Sequence, residues 1–363
     1  MKLEGIRVID LSLFLPGPYL TLLLADHGAE VIKVEPQGEG DPTRHLGPKD
    51  GGETVYFRNL NRGKKSVVID LKNPADREAL LRLCDSADVF VESFRPGVVE
   101  RLGVGYEALR ARNPRLVYCS ISAFGQTGPM RSRPAHDLAV EALSGILSIG
   151  LGQDGKPAIP ALPLADLLAS LHGLAGVLMA LLRREKTGKG DFIDIAMHDS
   201  MLAGTPNVLG PTFAENRQPV PTHERSTGGS AFYRLYQCSD GRWLALGGQE
   251  MKFVRSLLGA LGRLDLAPLC AKPGPHQQPV MDFLEGVFKK KSLKESLDFL
   301  APLDVCYAPV NTLPEALEAA AGKLLKDESG RRHLAPPVLF RDEPARPTLR
   351  EPRLGEHDAL KKR

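Results

Sequence analysis

No Cys-x-x-Cys pair occurs in this chain, and its five cysteines, Cys84, Cys119, Cys238, Cys270 and Cys306, are scattered and odd in number. That pattern argues against a disulfide framework or a zinc site and favours reduced, mostly buried thiols. Spacings such as His-Glu-x-x-His are missing too, so no metal is expected, and His27, His172 and His198 read as structural residues. No run reaches the roughly 18 to 20 apolar residues that a membrane span requires; residues 20–25 and 174–182 are short and end in charges. The opening Met1-Lys2-Leu3-Glu4-Gly5 is followed by Arg7 and Asp10, which interrupt any signal-peptide profile, so a cytoplasmic protein without a membrane partner is expected. Charge of one sign is also lacking. The 47 basic and 44 acidic residues leave a formal +3, no general reason to expect nucleic acid.

What is present describes a folded globular chain. Its 363 residues, 42% hydrophobic and 25% charged, exceed one ordinary core and suggest two domains. Residues 6–11, 19–27 and 30–35 read as strand, helix and strand. The pattern repeats with strands at 66–71, 89–92 and 116–120 and helices at 73–86 and 106–113, the first capped by Asn73 with Pro74 at its opening position. A Rossmann-like, doubly wound parallel α/β sheet is predicted. Apolar helices over 137–149 and 166–184 follow, then a strand or helix start at 192–201. Prolines and Asn216 mark residues 204–229 as a linker. Beyond it, Ser239-Asp240-Gly241 signals a hairpin between runs 232–238 and 243–246, and helices are expected at 252–262, 280–290 and 293–300, the last with Ser292 and Glu295 at capping-box spacing. These make a smaller α+β domain, residues 230–303. A strand at 305–309 is expected to return the chain to the first sheet, so that residues 1–203 and about 304–363 form the large domain, with an extended tail after Arg341.

The first strand-to-helix turn, Leu13-Phe14-Leu15-Pro16-Gly17-Pro18, holds no Gly-x-Gly-x-x-Gly, and two prolines remove N–H donors, which argues against a dinucleotide oxidoreductase. Basic residues nevertheless gather near strand ends: Lys33, Arg62, Lys64, Lys65, Arg95 and Arg101. As a set they fit a ligand with several phosphates, such as coenzyme A, although Lys64 and Lys65 precede a strand and need their loop to fold over. Ala135-His136-Asp137, Leu164-Ala165-Asp166 and Gly247-Gly248-Gln249-Glu250 supply an imidazole and carboxylates. Such groups suffice to remove a weakly acidic proton from one face of a carbon and return it to the other.

Pro16-Gly17-Pro18, residues 25–35 (Ala-Asp-His-Gly-Ala-Glu-Val-Ile-Lys-Val-Glu), Asp70-Leu71-Lys72, Phe94-Arg95-Pro96-Gly97-Val98, Arg101-Leu102-Gly103 and Phe124-Gly125-Gln126-Thr127-Gly128-Pro129 occur in order. This string resembles the family III CoA-transferases, the CaiB/BaiF family, over nearly the whole chain, and most resembles the α-methylacyl-CoA racemase branch. The resemblance implies a large domain completed by the C-terminal part, a smaller second domain, and a homodimer interlocked like chain links. It also implies an acyl-CoA substrate and no prosthetic group, with coenzyme A contacts drawn from Pro16, Lys33, Arg62, Lys64, Lys65, Phe94, Arg95 and Arg101. Transferases of this family use an aspartate at the position of Asp166 as a nucleophile, through a mixed anhydride and an aspartyl-CoA thioester. Racemases use it as one of two acid/bases and share the histidine of Ala135-His136-Asp137 and a glutamate like Glu250.

The resemblance therefore implies epimerisation of 2-methylacyl-CoA thioesters by 1,1-proton transfer, with CoA transfer as the alternative. His136 and Asp166 would face opposite sides of the α-carbon. Glu250 would orient His136 or share its proton, and Asp137 would position His136 or the thioester. The start of the helix after Asp166 would offer N–H groups to the enolate oxygen. Asp166-Leu167-Leu168-Ala169-Ser170 departs from the glycine-rich stretch of the racemases, Ala135 replaces a glycine, and Ser230-Ala231-Phe232 differs from their Ala-Pro-Phe, which leaves substrate size open.

Overall fold

In the computed structural model, which describes residues 1–152 and 154–362, β1 (Arg7–Asp10) leads through α1 (Pro16–Asp26) to β2 (Glu30–Glu35). Helix α1 begins three residues before the predicted start because Pro16 occupies its first position, where no N–H is needed and φ is already helical. Next come α2 (Val55–Asn61), β3 (Lys65–Val68), α3 (Pro74–Asp85), β4 (Val89–Glu92), α4 (Val98–Arg101), α5 (Tyr106–Arg112) and β5 (Val117–Ser122). The Asn73 side chain caps α3, accepting from the Ala75 N–H at 2.9 Å. Then follow α6 (Asp137–Leu143), α7 (Leu164–Thr187), β6 (Phe192–Ala196) and α8 (Met197–Ala203). All six strands are parallel in the order β3-β2-β1-β4-β5-β6. The direction of strand addition reverses between β1 and β4, so the connections leaving those strands part and open a crevice at their carboxyl ends.

Three local readings change. The helix expected over 137–149 stops at Leu143, because Gly145 turns left-handed at φ 83°. Residues 192–201 hold both alternatives, a strand to Ala196 and a helix from Met197. Contrary to the expectation that no apolar run is long enough, the 24-residue α7 could cross a membrane by length and composition alone, an 18-residue stretch of it having a mean hydropathy of 1.8. Here it covers the sheet. Gly173 lets it approach α1 so closely that a Cβ would stand 2.6 Å from Leu20, and Arg184 ties its far end to Asp88 at 2.8 Å.

The chain divides into two compact units, Met1–Ser144 with Pro160–Gly204 and Gly322–Arg363, and Gly145–Ile159 with Thr205–Ala321. The second therefore extends beyond residues 230–303 in both directions and takes in the segment expected as a linker, which carries α9 (Gly210–Glu215). Its other elements are β7 (Tyr233–Gln237), β8 (Trp243–Gly247), α10 (Met251–Ala260), α11 (Gln278–Phe288), α12 (Leu293–Leu300), β9 (Tyr307–Pro309) and α13 (Leu313–Ala319). Instead of returning to the first sheet, β9 pairs antiparallel with β8, Leu246 opposite Tyr307 and Leu244 opposite Pro309. Phe232, Tyr236, Leu244, Leu257, Leu284 and Phe288 form the core beneath that small sheet.

From Gly322 the chain belongs to the first unit again, with β10 (Leu324–Lys326) and β11 (Arg332–Leu334) as a short antiparallel pair. The tail then lies along the outer edge of β3. The His357 N–H donates to the Ser66 carbonyl at 2.8 Å, and the Val68 N–H donates to Asp358 at 2.8 Å. Backbone groups that would otherwise template another strand are thereby satisfied.

Candidate active site

The crevice contains a cavity of about 220 Å³. Its walls come from the turn after β1 (Leu11, Leu13, Phe14, Pro16), the segment after β4 (Ser93, Phe94, Arg95, Pro96), the end of β5 (Ile121, Ser122, Ala123), and Arg131, Arg133, Ala135, His136, Asp166 and Met197. His136 and Asp166, thirty residues apart in sequence, thus share one wall-lined space.

Two short elements bring them there. His136 is the N-cap residue of α6, in extended conformation, and its imidazole makes no hydrogen bond to a described residue. Asp166 lies in the first turn of α7, which follows Pro163 and has no side-chain cap of its own. Acids on α6 cap it instead. Asp137 accepts from the N–H groups of Ala165 at 2.8 Å and Asp166 at 3.2 Å, and Glu141, one turn later, accepts from Leu164 at 2.9 Å. These bonds satisfy the donors that a helix start leaves open and fix Asp166 from behind. They also correct an expectation: α7 starts before Asp166 rather than after it, and those N–H groups are already taken, so they do not serve an enolate oxygen. Asp137 holds the Asp166 backbone and forms no hydrogen bond to His136.

The electrostatics follow from that packing. Burial, reinforced by the nearby Asp137 and Glu141 charges, pushes the Asp166 carboxyl up to about 7. A carboxyl with this affinity exchanges protons readily near neutrality. Burial, together with the neighbouring Asp137 carboxyl, likewise raises Glu141. Beneath the cavity, burial brings Glu92 up to about 7, opposed by bonds from Ser120 and the Phe94 N–H.

The raised carboxyl should show in stability. A folded Asp166 keeps its proton to about pH 7, whereas the unfolded one loses it near 4. The folded state therefore binds the extra proton between those values, and stability falls as pH rises through that window. Asp166→Asn is expected to match the parent near pH 4 and exceed it at pH 8 by on the order of a few kcal/mol in urea unfolding. Equal offsets at both pH values would contradict the assignment.

The basic residues divide sharply. Arg95 lines the cavity and Arg101 is exposed on α4, neither paired with an acid among the described residues. Lys33 and Lys64 are wholly buried, contrary to a role at phosphates. Lys33 bonds the Ser12 carbonyl at 2.9 Å and Asp41 at 2.8 Å; Lys64 reaches Asp10 at 3.1 Å, the Pro18 carbonyl at 2.9 Å, Thr21 and Asn61. Burial works to raise Asp10, yet Lys64 and Lys33 hold it below the usual carboxylate range. Arg62 is buried against Asp26 at 2.5 Å, and Lys65 pairs with Glu30 at the sheet edge. Positive charge adjacent to a strand is therefore used here mostly to satisfy buried acids. Pro16 and Phe94 both line the cavity, whereas Glu250 stands exposed as the N-cap residue of α10 in the second unit, outside this lining.

Arg131 and Arg133 are cavity residues that sequence reasoning missed. The available signal was two arginines in Arg131-Ser132-Arg133-Pro134, two residues before His136. Ser122 was missed as well, and its buried hydroxyl has no hydrogen-bond partner among the described residues.

A family model described as CoA-transferase family III matches residues 3–358. The chain belongs to that family. An acetyl-CoA:oxalate CoA-transferase of Acetobacter aceti is 38% identical over 320 residues, spanning 87% of this chain and 82% of that protein. Human alpha-methylacyl-CoA racemase is 34% identical over 371 residues, 98% of this chain and 91% of its own. Among solved structures, a CaiB/BaiF family protein from Brucella suis has a TM-score of 0.86 at 32% identity, covering 99% of this chain and 98% of that one. A family III member with such relatives is an enzyme, and CoA thioesters are the substrates that fit the family.

Proposed function

We propose that this family III enzyme epimerises the α-carbon of 2-methylacyl-CoA thioesters by 1,1-proton transfer. The observation that carries the proposal is the pairing of an unencumbered imidazole, His136, with a carboxyl poised at about 7, Asp166, on one cavity. A transferase needs an ionised aspartate and no second base, whereas proton transfer profits from groups whose affinities lie near the working pH. One base removes the α-proton from its face, leaving an enolate, and the conjugate acid on the other face returns a proton there.

A second reading is CoA transfer between carboxylic acids through an anhydride and then a thioester on Asp166. It is favoured by the acetyl-CoA:oxalate relative and by Arg131 and Arg133, which could pair with an acceptor carboxylate. Incubation with an acyl-CoA panel in D2O, with and without free carboxylic acids, separates the two. Deuterium at the α-carbon without an acceptor supports epimerisation; thioester exchange that requires an acceptor, with no deuterium uptake, rejects it.

Arg95 and Arg101 are the available contacts for the coenzyme A phosphates. Removing either charge is expected to raise the acyl-CoA KM several-fold, with binding weakened by salt and the fold intact. Unchanged KM in Arg95→Ala and Arg101→Ala would end that assignment.

The active species is proposed to be a homodimer. Support comes from the outer face of α7, where Leu171, Leu178, Met179 and Leu182 stand exposed. Sedimentation should show a dimer whose specific activity is constant on dilution. A fully active monomer would refute this.

A further inference from the structure

Phe14 adopts φ 61°, in the left-handed region that disfavours bulky side chains. Asn216 is the other described non-glycine residue at positive φ, and an asparagine tolerates that conformation. Glycine would occupy position 14 without strain, so the ring must contribute something that compensates for it.

The turn on either side explains how the conformation is enforced. The Leu11 N–H donates to the Val91 carbonyl at 2.8 Å, and the Ser12 N–H and hydroxyl both donate to Asp10. Lys33 grips the Ser12 carbonyl, the Leu13 N–H donates to the Ser93 hydroxyl at 3.3 Å, and the Ser170 hydroxyl donates to the Pro16 carbonyl at 2.7 Å. Lys64 holds the Pro18 carbonyl. Gly17 packs so tightly that a Cβ would lie 2.1 Å from the Ser12 hydroxyl. Both flanks are pinned, and the residue between them has no other course.

The compensation does not come from the core. Phe14 is 38% exposed, lines the cavity, and presents its ring edge-on to His136, with centroids 6.1 Å apart at 74°. We infer that Phe14 determines which acyl groups the cavity accepts, forming an aromatic wall that orients the His136 imidazole and excludes bulk beside the α-carbon. The inference rests on the reading that the acyl group sits against His136 and Asp166. Short 2-methylacyl chains pass this wall, and aromatic or polycyclic ones do not.

The test compares Phe14→Gly and Phe14→Leu with the parent, using a short 2-methylacyl-CoA and a bulky arylpropionyl-CoA. Each is followed both by α-deuteration in D2O and by acceptor-dependent CoA exchange. Phe14→Gly is expected to melt at the same or a higher temperature, because strain is relieved. Its ratio of kcat/KM for the bulky over the short substrate should rise at least tenfold, with affinity for free coenzyme A unchanged. Phe14→Leu, which keeps a side chain in the strained position, should fall between. A lowered melting temperature with an unchanged substrate ratio would show a purely structural residue and overturn the inference. Should the parent exchange CoA and take up no deuterium, the epimerase reading fails, and the ratio measured in the exchange assay still decides the role of Phe14.

Discussion

His136→Ala is expected to abolish inversion of a 2-methylacyl-CoA while leaving slow solvent-deuterium exchange with the one enantiomer whose α-hydrogen faces Asp166. Asp166→Ala should do the converse. Each base serves one face, so removing one stops the relay between faces without stopping the half-reaction at the other. Loss of a general base typically costs about 10²- to 10⁴-fold in rate, which leaves the surviving exchange measurable by mass spectrometry. The two variants should fold, since His136 is exposed and the helix start around Asp166 is held through backbone N–H groups rather than through the Asp166 side chain. Transfer chemistry gives another pattern: Asp166→Ala loses all CoA exchange and any hydroxylamine-trappable anhydride, whereas His136→Ala keeps transfer. That outcome, with no deuteration by the parent protein, would replace epimerisation with transfer.

Lys64→Met should be the most destabilising of the single substitutions considered for the first unit. It removes the ammonium that neutralises Asp10, a fully buried carboxylate in β1, and takes one donor from the Pro18 carbonyl, which keeps the Thr21 hydroxyl at 3.3 Å. Stripping one partner from a buried pair costs roughly 3–5 kcal/mol, a large share of the roughly 5–15 kcal/mol by which domains are stable. Lys33 remains nearby and offsets part of the loss. Urea unfolding should show a lower midpoint for Lys64→Met and a substantial recovery in the double variant Asp10→Asn with Lys64→Met, which removes both charges. A single variant as stable as the parent would mean that the pair contributes nothing.

The parallel sheet was legible because β-branched runs alternate with segments of helical spacing, one of them opened by Asn73-Pro74, signals that act within a few residues. Strand order, which the sequence did not reveal, places the cavity, and His136 and Asp166 are both among its lining residues. Two kinds of feature were not legible. The fate of a lysine depends on the acid opposite it, and Lys64 meets Asp10 across 54 positions, a pairing no local pattern encodes. Similarly, β9 could have paired with either sheet by composition; its neighbour is decided by β8, sixty residues upstream. The capping of α7 by Asp137 and Glu141 escaped notice for the same reason, since a helix that begins after proline advertises no cap of its own.

The tail along β3 also sets a schedule for biosynthesis. Ser66 and Val68 are translated almost 300 residues before the His357 and Asp358 that close their edge. At the roughly 5–20 residues per second of chain synthesis, that edge stays bare for tens of seconds. Meanwhile most of the second unit, residues 205–321, emerges as one continuous stretch and can bury its own core around Phe232 and Phe288. The edge of the first sheet is thus the part closed last, although it contains residues made among the first.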